Sequence, residues 1–246
     1  MERLYIHEEN IHNFTAAREV VPIILSITKP KSVLDVGCGI GTWLKVFEEQ
    51  GITDYLGVDG DYVDFTKLTI SEKKFVARDL RKNWSLNRKF DLVISLEVAE
   101  HLPEINADQF VKTLVEHGDV IVFSAAIPGQ GGQNHLNEQW PEYWQEKFER
   151  QGFYFHDVLR PIIWSNKEIN WWYKQNMFLI NKTPPKTLPF NSVSLVHPEL
   201  FSGHNQNKKQ FFQSLVEGRQ GMKLSIKIFF NALVFKVKTM FNNDKS

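Results

Sequence analysis

Apolar positions along the chain change their spacing repeatedly up to about Ile180, and the spacing predicts the elements. Ile11, Phe14, Val20, Val21, Ile24 and Ile27 recur at helical intervals between residues 11 and 28. Pro22 fits an early turn of that helix or a break between two helices, and Lys29-Pro30-Lys31 ends the segment. Val33 to Val36 is a short buried strand that runs directly into Gly37-Cys38-Gly39-Ile40-Gly41. Thr42 to Gln50 follows as a helix, with Trp43, Leu44 and Phe47 on one face and Gly51 at its end. Strands are expected at Tyr55–Asp59, Lys74–Ala77, Asp91–Leu96 and Val120–Ser124, with a weak helix at Tyr62–Ile70 and a stronger one at Ala107–Glu116. Strands alternating with helices at this interval predict an α/β, doubly wound sheet, mostly parallel and covered on both faces. Past Ser124 the rhythm changes. Pro128–Asn134 is a Gly- and Gln-rich loop, Asn137–Gln151 a helix, and Phe153–Val158 and Asn176–Ile180 two strands antiparallel to each other. Three prolines between Thr183 and Pro189 mark a boundary.

Composition narrows the class. A chain of 246 residues with 42% hydrophobic side chains is neither disordered nor fibrous, and it can bury a core without staples. Basic and acidic side chains balance at 29 each, which argues against a nucleic-acid partner held by bulk charge. Cys38 is the sole cysteine, so no disulfide can form within the chain. A reducing compartment is the natural expectation. Residues 1–10 are charged and lack the apolar centre of a secretory signal, and no apolar stretch is long enough to span a bilayer. A cytoplasmic protein is expected, at most peripheral to the inner face of the membrane.

The glycine loop is the first chemical signal. Ligands of open α/β sheets bind beyond the carboxyl ends of the strands, where strand order reverses. Glycines there let the backbone approach a ligand, and the following helix N-terminus attracts an anionic group. A dinucleotide pyrophosphate and an amino-acid carboxylate both fit that description, and a bare strand-to-helix turn is the third account. Spacing separates them. The third glycine comes one residue earlier than a dinucleotide fingerprint requires, and Asp35 at the strand end would repel a pyrophosphate. Asp35 would suit the ammonium group of a methionine moiety. Further acids follow at successive strand ends. Asp59-Gly60 can meet ribose hydroxyls, Asp79-Leu80 can read and pack on adenine, and Leu96-Glu97 closes the strand beside the same crevice.

Val33-Leu34-Asp35-Val36-Gly37-Cys38-Gly39-Ile40-Gly41 resembles the first motif of class I S-adenosylmethionine-dependent methyltransferases. Asp59, Asp79-Leu80 and the stretch Phe90–Leu102 resemble the motifs that follow it. The likeness covers roughly residues 31–125. It implies a Rossmann-like, seven-stranded sheet whose last strand is antiparallel, and S-adenosyl-L-methionine as cofactor. It further implies that Asp35, Gly37, Gly39, Asp59, Asp79 and Leu96 line the cofactor site, with Cys38, Gly60, Leu80 and Glu97 beside them. Glu97-Val98-Ala99-Glu100-His101-Leu102 is similar to the form seen in small-molecule O- and N-methyltransferases. Ala126–Gly132 and His135–Pro141 resemble bacterial members from surface-glycan and secondary-metabolite gene clusters, which implies a small-molecule or glycan acceptor.

Methyl transfer from a sulfonium is an in-line displacement, so the protein mainly positions the reactants and excludes water. An alcohol acceptor must lose its proton. His135 is the first candidate base because it follows the loop after the fifth strand, among Asn134, Asn137 and Glu138. Capping or decorating the next helix is its competing role. His101, preceded by Glu100, ranks second. Cys38 is expected to pack rather than react. No His/Cys/Asp/Glu grouping shows metal-ligand spacing in the chain, although dispersed Mg²⁺ ligands would leave no such trace. Trp140, Tyr143, Trp144 and Phe148 lie on one helix face and suit the core. Trp164, Trp171, Trp172 and Tyr173 lie near expected strand ends; at least half of them suit the core, and any that are exposed could stack on a sugar ring or another flat acceptor.

The expected organisation is a helical cap over residues 1–30, a methyltransferase domain over 31–183 and an extension over 184–246. The resemblance implies that the cap covers the cofactor, with Asn13 and Arg18 toward the crevice, while a purely structural helix accounts better for most of the segment. From Arg219 to Ser246 the chain carries six basic side chains and one acidic one, with Phe229, Phe230, Phe235 and Phe241 among them. Lys223, Lys227, Asn231 and Lys238 fall on one stripe of a helix, which suits the interface of an anionic membrane. Packing on the domain or on the second copy of a homodimer accounts for the same pattern. The function expected is O-methylation of a small molecule or glycan intermediate. A methyltransferase of protein or RNA, and a non-catalytic cofactor-binding scaffold, are the alternatives.

Overall fold

A computed structural model describes residues 14–185 and 194–217, and beyond them 219, 221–224, 226–227 and 230–231. The chain divides into two units, Met1–His197 and Pro198–Ser246. The first holds α1 (Thr15–Thr28), β1 (Ser32–Val36), α2 (Thr42–Glu49), β2 (Asp54–Asp59), β3 (Phe75–Ala77), β4 (Leu92–Leu96), α3 (Ala107–His117) and β5 (Val120–Ser124). It continues with α4 (Pro141–Glu149), β6 (Tyr154–His156), α5 (Arg160–Ile163), α6 (Trp171–Asn176) and β7 (Phe178–Asn181). The second unit contains α7 (Pro198–Val216).

The strands form one seven-stranded sheet in the order β3-β2-β1-β4-β5-β7-β6. β1 pairs in parallel with β2 and β4, and β7 runs antiparallel to both β5 and β6. Connections leave β1 toward β2 on one side, while β4 lies on the other, so strand order reverses between β1 and β4. This is a doubly wound, Rossmann-like sheet, as the sequence resemblance implied.

β1 and β4 are buried at every residue because both faces of the sheet are covered. Successive side chains go to opposite faces. Val33, Leu92, Ile94, Val122 and Leu179 join the cluster under α1 and α2. Leu34, Val93, Ile121, Phe123, Phe178 and Ile180 join the cluster under α3 and α4. α1 buries Ala16, Ala17, Val20, Val21 and Ile24 against the first of these. Pro22 sits inside α1, which continues through it as one helix.

Several elements differ from their sequence expectation, each for a local reason. Tyr62–Ile70 makes only a single tight turn at Phe65–Lys67. The Asp64 carboxylate accepts from the Thr66 amide and hydroxyl at 3.1 and 2.7 Å, which offers the backbone an alternative to a helix. The Thr69 amide then donates to Ile40 O at 2.8 Å, drawing the segment onto the glycine loop. The helix expected from Asn137 starts at Pro141, because the Leu136 and Asn137 amides both donate to Glu100 O. Proline at the first helical position then loses nothing by lacking its N–H. Trp171, Trp172 and Tyr173 belong to α6 rather than to a strand end, and β7 starts only at Phe178. α7 was not anticipated; its Phe201, Phe211 and Phe212 are exposed. The basic amphipathic helix expected over Arg219–Ser246 lies largely outside the described residues, and no described helix is long and apolar enough to cross a membrane.

Phe123 joins the sheet to the helical layer. It is 1% exposed, and its ring centroid lies 5.4 Å from that of Trp144 and 5.3 Å from that of Phe148. Phe123→Ala should lower unfolding stability by about 3–5 kcal/mol, since the rigid neighbours cannot close the cavity. Urea unfolding followed by tryptophan fluorescence measures the loss, and an unmoved midpoint would contradict this account of the core.

Candidate functional site

A cavity of about 1260 Å³ opens beyond the carboxyl ends of β1, β2 and β4. It brings together all twelve residues singled out from the sequence: Asp35, Gly37, Cys38, Gly39, Asp59, Gly60, Asp79, Leu80, Leu96, Glu97, His101 and His135.

One half of this cavity is made mainly by backbone. After β1 the chain turns sharply, and the Gly37 amide donates to Val58 O at 2.7 Å while the Gly39 amide donates to Asp59 Oδ2 at 2.7 Å. Gly37 has φ +85°, and a Cβ there would lie 2.3 Å from Val98 Cγ2. Gly41 begins α2 at φ +86°, where a Cβ would meet Ile70 Cγ1 at 2.7 Å. The loop therefore requires glycine at both positions for conformation and for space.

The acids stand around that loop. Asp35 is buried, and burial together with the neighbouring Asp59 charge pushes its carboxyl well above the usual range. A cationic group beside it would relieve both effects. Asp59 Oδ1 accepts from the Gly60 amide and the Tyr62 hydroxyl, each at 2.6 Å. Oδ1 thus carries two donors and Oδ2 one, so a second ribose hydroxyl needs Tyr62 to turn away. Asp79 is engaged by Arg81 at 2.8 and 2.9 Å, and that pairing holds its carboxyl below the usual range. An adenine amino group would share this carboxylate with Arg81. Cys38 is buried, and burial followed by the charges of Asp35 and Asp59 pushes its thiol up. A thiol held protonated is no nucleophile.

The residues present thus fit S-adenosylmethionine: a glycine cradle that a Cβ would fill, a buried acid for the ammonium, and an acid at the end of β2 for the ribose. Ala16 of α1 also lines the cavity. Arg18 does not. It pairs with Glu49 at 3.7 Å and stacks on Phe14, because the turn of α1 that carries it faces α2. Asn13 lies outside the described residues.

The other half is made by side chains. Glu97 ends β4 at φ +55°, a conformation that costs a non-glycine residue roughly 1–2 kcal/mol. Its amide donates to Ser124 O at 3.0 Å. Its carboxylate accepts from Gln130 Nε2 at 2.7 Å and from Asn176 Nδ2 at 3.2 Å, and Asn176 also donates to Gln130 Oε1 at 2.8 Å. Burial raises the Glu97 carboxyl. Glu100 is fully buried; its own amide, the Ala126 amide and the Glu97 carboxyl lie near its oxygens, but none makes a well-formed hydrogen bond to them. Burial and the nearby Glu97 charge push its carboxyl well up.

His101 and His135 meet edge to face with centroids 4.9 Å apart. Burial, then the charge on His135, lowers His101 to about 4, so its imidazole is neutral at neutral pH. His135 Nδ1 lies 2.8 Å from Glu138 Oε1. Burial alone would raise Glu138, but the hydrogen bonds from His135 and from the Gly129 and Gly131 amides outweigh it and hold the carboxyl below its usual range. An ionised carboxylate only accepts, so Nδ1 carries the proton and Nε2 of a neutral ring faces away with a lone pair. One ligand atom each from Glu100, His101 and His135 lies within 4.8 Å of the others. The half-buried Trp171, Trp172 and Tyr173 complete this side of the cavity.

Sequence reading missed Gln130, Asn176 and the orienting role of Glu138. Gln130 and Glu138 had one trace, their place in and after the Gly-rich loop; Asn176 had none.

Residues 8–175 match the family model described as a methyltransferase domain. The chain therefore belongs to the methyltransferase-domain family. It is by that match a methyltransferase, and its glycine loop and strand-end acids fit S-adenosylmethionine as the methyl donor. No curated protein matches it. Among solved structures, CalS10 from Micromonospora echinaspora, an amino pentose methyltransferase involved in calicheamicin biosynthesis, is 17% identical with a TM-score of 0.54. That match covers 74% of this chain and 100% of CalS10. DesVI from Streptomyces venezuelae is 16% identical with a TM-score of 0.52, covering 73% of this chain and 100% of DesVI. An S-adenosylmethionine-dependent methyltransferase from Clostridium acetobutylicum is 12% identical with a TM-score of 0.53, covering 70% of this chain and 93% of that one. At these identities the likeness is one of fold.

Asp59→Asn keeps the size of the side chain and removes its charge. It should weaken S-adenosylmethionine binding roughly 10- to 100-fold, the worth of a charge-assisted hydrogen bond. Isothermal titration calorimetry reads this directly, and a wild-type dissociation constant in the variant would remove the ribose from Asp59.

Proposed function

We propose that this methyltransferase transfers its methyl group to a hydroxyl oxygen of a small molecule or glycan intermediate. The observation that carries the reading is the grouping of Glu100, His101 and His135 in the same cavity as the glycine loop. An amine has a ready free-base fraction at neutral pH, whereas an alcohol is so weak an acid that its proton needs an acceptor as the bond to carbon forms. The cluster supplies a place for that proton. His101 is neutral, and His135 is held by Glu138 with Nε2 free of a proton in its neutral form.

The chain's own residues supply the remaining requirements. Asp35, Asp59 and the glycine loop hold the cofactor, which brings the electrophilic methyl group. Trp171 and Trp172 offer half-exposed faces on which a sugar ring can stack, and Glu97, Gln130 and Asn134 offer polar partners to its hydroxyls. Enclosure by these groups excludes water, which favours transfer to the acceptor alone. CalS10, which shares the fold, acts on an amino pentose, and that supports a sugar-like acceptor here. The balanced charge of the chain speaks against RNA as acceptor.

His135→Ala should lower turnover about 100-fold or more while leaving cofactor affinity unchanged. The check pairs calorimetry with radiolabelled methyl transfer to a panel of hydroxylated sugars and matched amines. Full activity of the variant at every pH, or transfer only to amines in the wild type, defeats the reading.

A further inference from the structure

We propose that Glu100, His101 and His135 bind a divalent first-row transition-metal ion at the acceptor side of the cavity.

Geometry is the first ground. The three side chains come from two separate segments, the turn after β4 and the loop after β5, yet each places a ligand atom within 4.8 Å of the other two. Modest side-chain rotation brings such a set onto one ion at ordinary ligand distances of about 2.0–2.2 Å.

The second ground is the state of Glu100. Its carboxyl is fully buried and lines the cavity, and the groups nearest to it, its own amide, the Ala126 amide and the Glu97 carboxyl, make no well-formed hydrogen bond to it. A buried carboxylate so weakly satisfied is costly, and a cation is the partner that removes the cost. Glu97 stands close by, with its own oxygens held by Gln130 and Asn176. Its charge also bears on Glu100, and an ion held by Glu100 would offset that repulsion.

The third ground is the way His135 is held. Glu138 takes Nδ1–H at 2.8 Å and is itself fixed by the Gly129 and Gly131 amides, so Nε2 is left as the nitrogen available to a metal. A carboxylate behind a ligating histidine is the usual means of fixing its tautomer and raising its basicity. Gly132 keeps the space at Nε2 open, since a Cβ there would lie 2.2 Å from that atom.

Two neutral imidazoles and one carboxylate suit Mn²⁺, Fe²⁺, Co²⁺ or Zn²⁺ better than Ca²⁺, and three protein ligands leave coordination positions for an oxygen from outside. With the ion bound, His101 and His135 would serve as ligands and no longer as bases, and the ion would take over their part by lowering the pKa of an acceptor hydroxyl bound to it. That role rests on the hydroxyl-methylation reading; the site itself does not.

The test uses the full chain, stripped with a chelator and titrated with Mn²⁺, with the free ion measured by electron paramagnetic resonance. One ion should bind per chain. Glu100→Gln, His101→Gln and His135→Gln should each weaken binding by more than about 100-fold, and the positioning variant Glu138→Gln by about 10- to 100-fold. Circular dichroism and S-adenosylmethionine affinity like those of the wild type show that a variant is folded. Zn²⁺ competition against bound Mn²⁺ should be abolished in the same variants. Absence of binding in the wild type, or equal binding in the folded variants, overturns the site. Binding without any transfer to hydroxyl acceptors upholds the site and rejects the hydroxyl reading. Undiminished transfer to hydroxyls by stripped protein that binds no ion does the reverse.

Discussion

The hydrogen bond from the Gly39 amide to Asp59 Oδ2 fixes the relation between the loop after β1 and the end of β2. The two strands are parallel neighbours in register, Val36 against Val58, so they end at the same level of the sheet. A loop leaving β1 could swing widely from that point. The bond to Asp59, with the Gly37 amide on Val58 O, folds it back over β2 instead. α2 then begins where the loop lets it, and its apolar face reaches the cluster shared with α1. The same carboxylate holds Tyr62 and so sets the path of the next segment. A residue expected for ligand binding is thus also a structural joint, which explains why the site and the fold are hard to separate here.

The cofactor side of the molecule was legible in the sequence because it follows chain order. Asp35, Asp59, Asp79 and Glu97 come at or just beyond the ends of consecutive strands, and the rule that ligands lie beyond those ends collects them without knowledge of the path between. The acceptor side does not follow chain order. Glu100 and His101 are adjacent, but His135 returns to them only after α3, β5 and a glycine-rich loop have been traversed. Gln130 and Asn176 meet over Glu97 because β5 and β7 are neighbours, a pairing that no local pattern announces. The misjudged helix at Tyr62–Ile70 has the same origin. Its helical spacing was real, but Asp64 and Ile40 made better partners for its backbone.

The two halves of the cavity also differ in how they are built. Backbone amides, glycines and one carboxylate per strand end make up the half that fits the cofactor, and Gly37 and Gly41 of its loop leave no room for a side chain. Side chains of loops and of α6, Gln130, Asn134 and Trp172 among them, make up the other half. A scaffold divided in this way can keep one ligand constant while the facing wall varies. Glu97 sits at the seam, and its left-handed backbone at φ +55° turns the chain from strand into the acceptor wall.

The two outermost strands of the sheet, β3 and β6, are also its shortest, at three residues each. A lateral edge so brief offers an approaching chain few unsatisfied amides and carbonyls. Long five- and six-residue strands are confined to the interior, where both sides are already paired. The sheet is therefore guarded against growth into a continuous ribbon of molecules. Folded copies of this protein, however crowded, would have to associate through side-chain surfaces, and not by extending one another's β-structure.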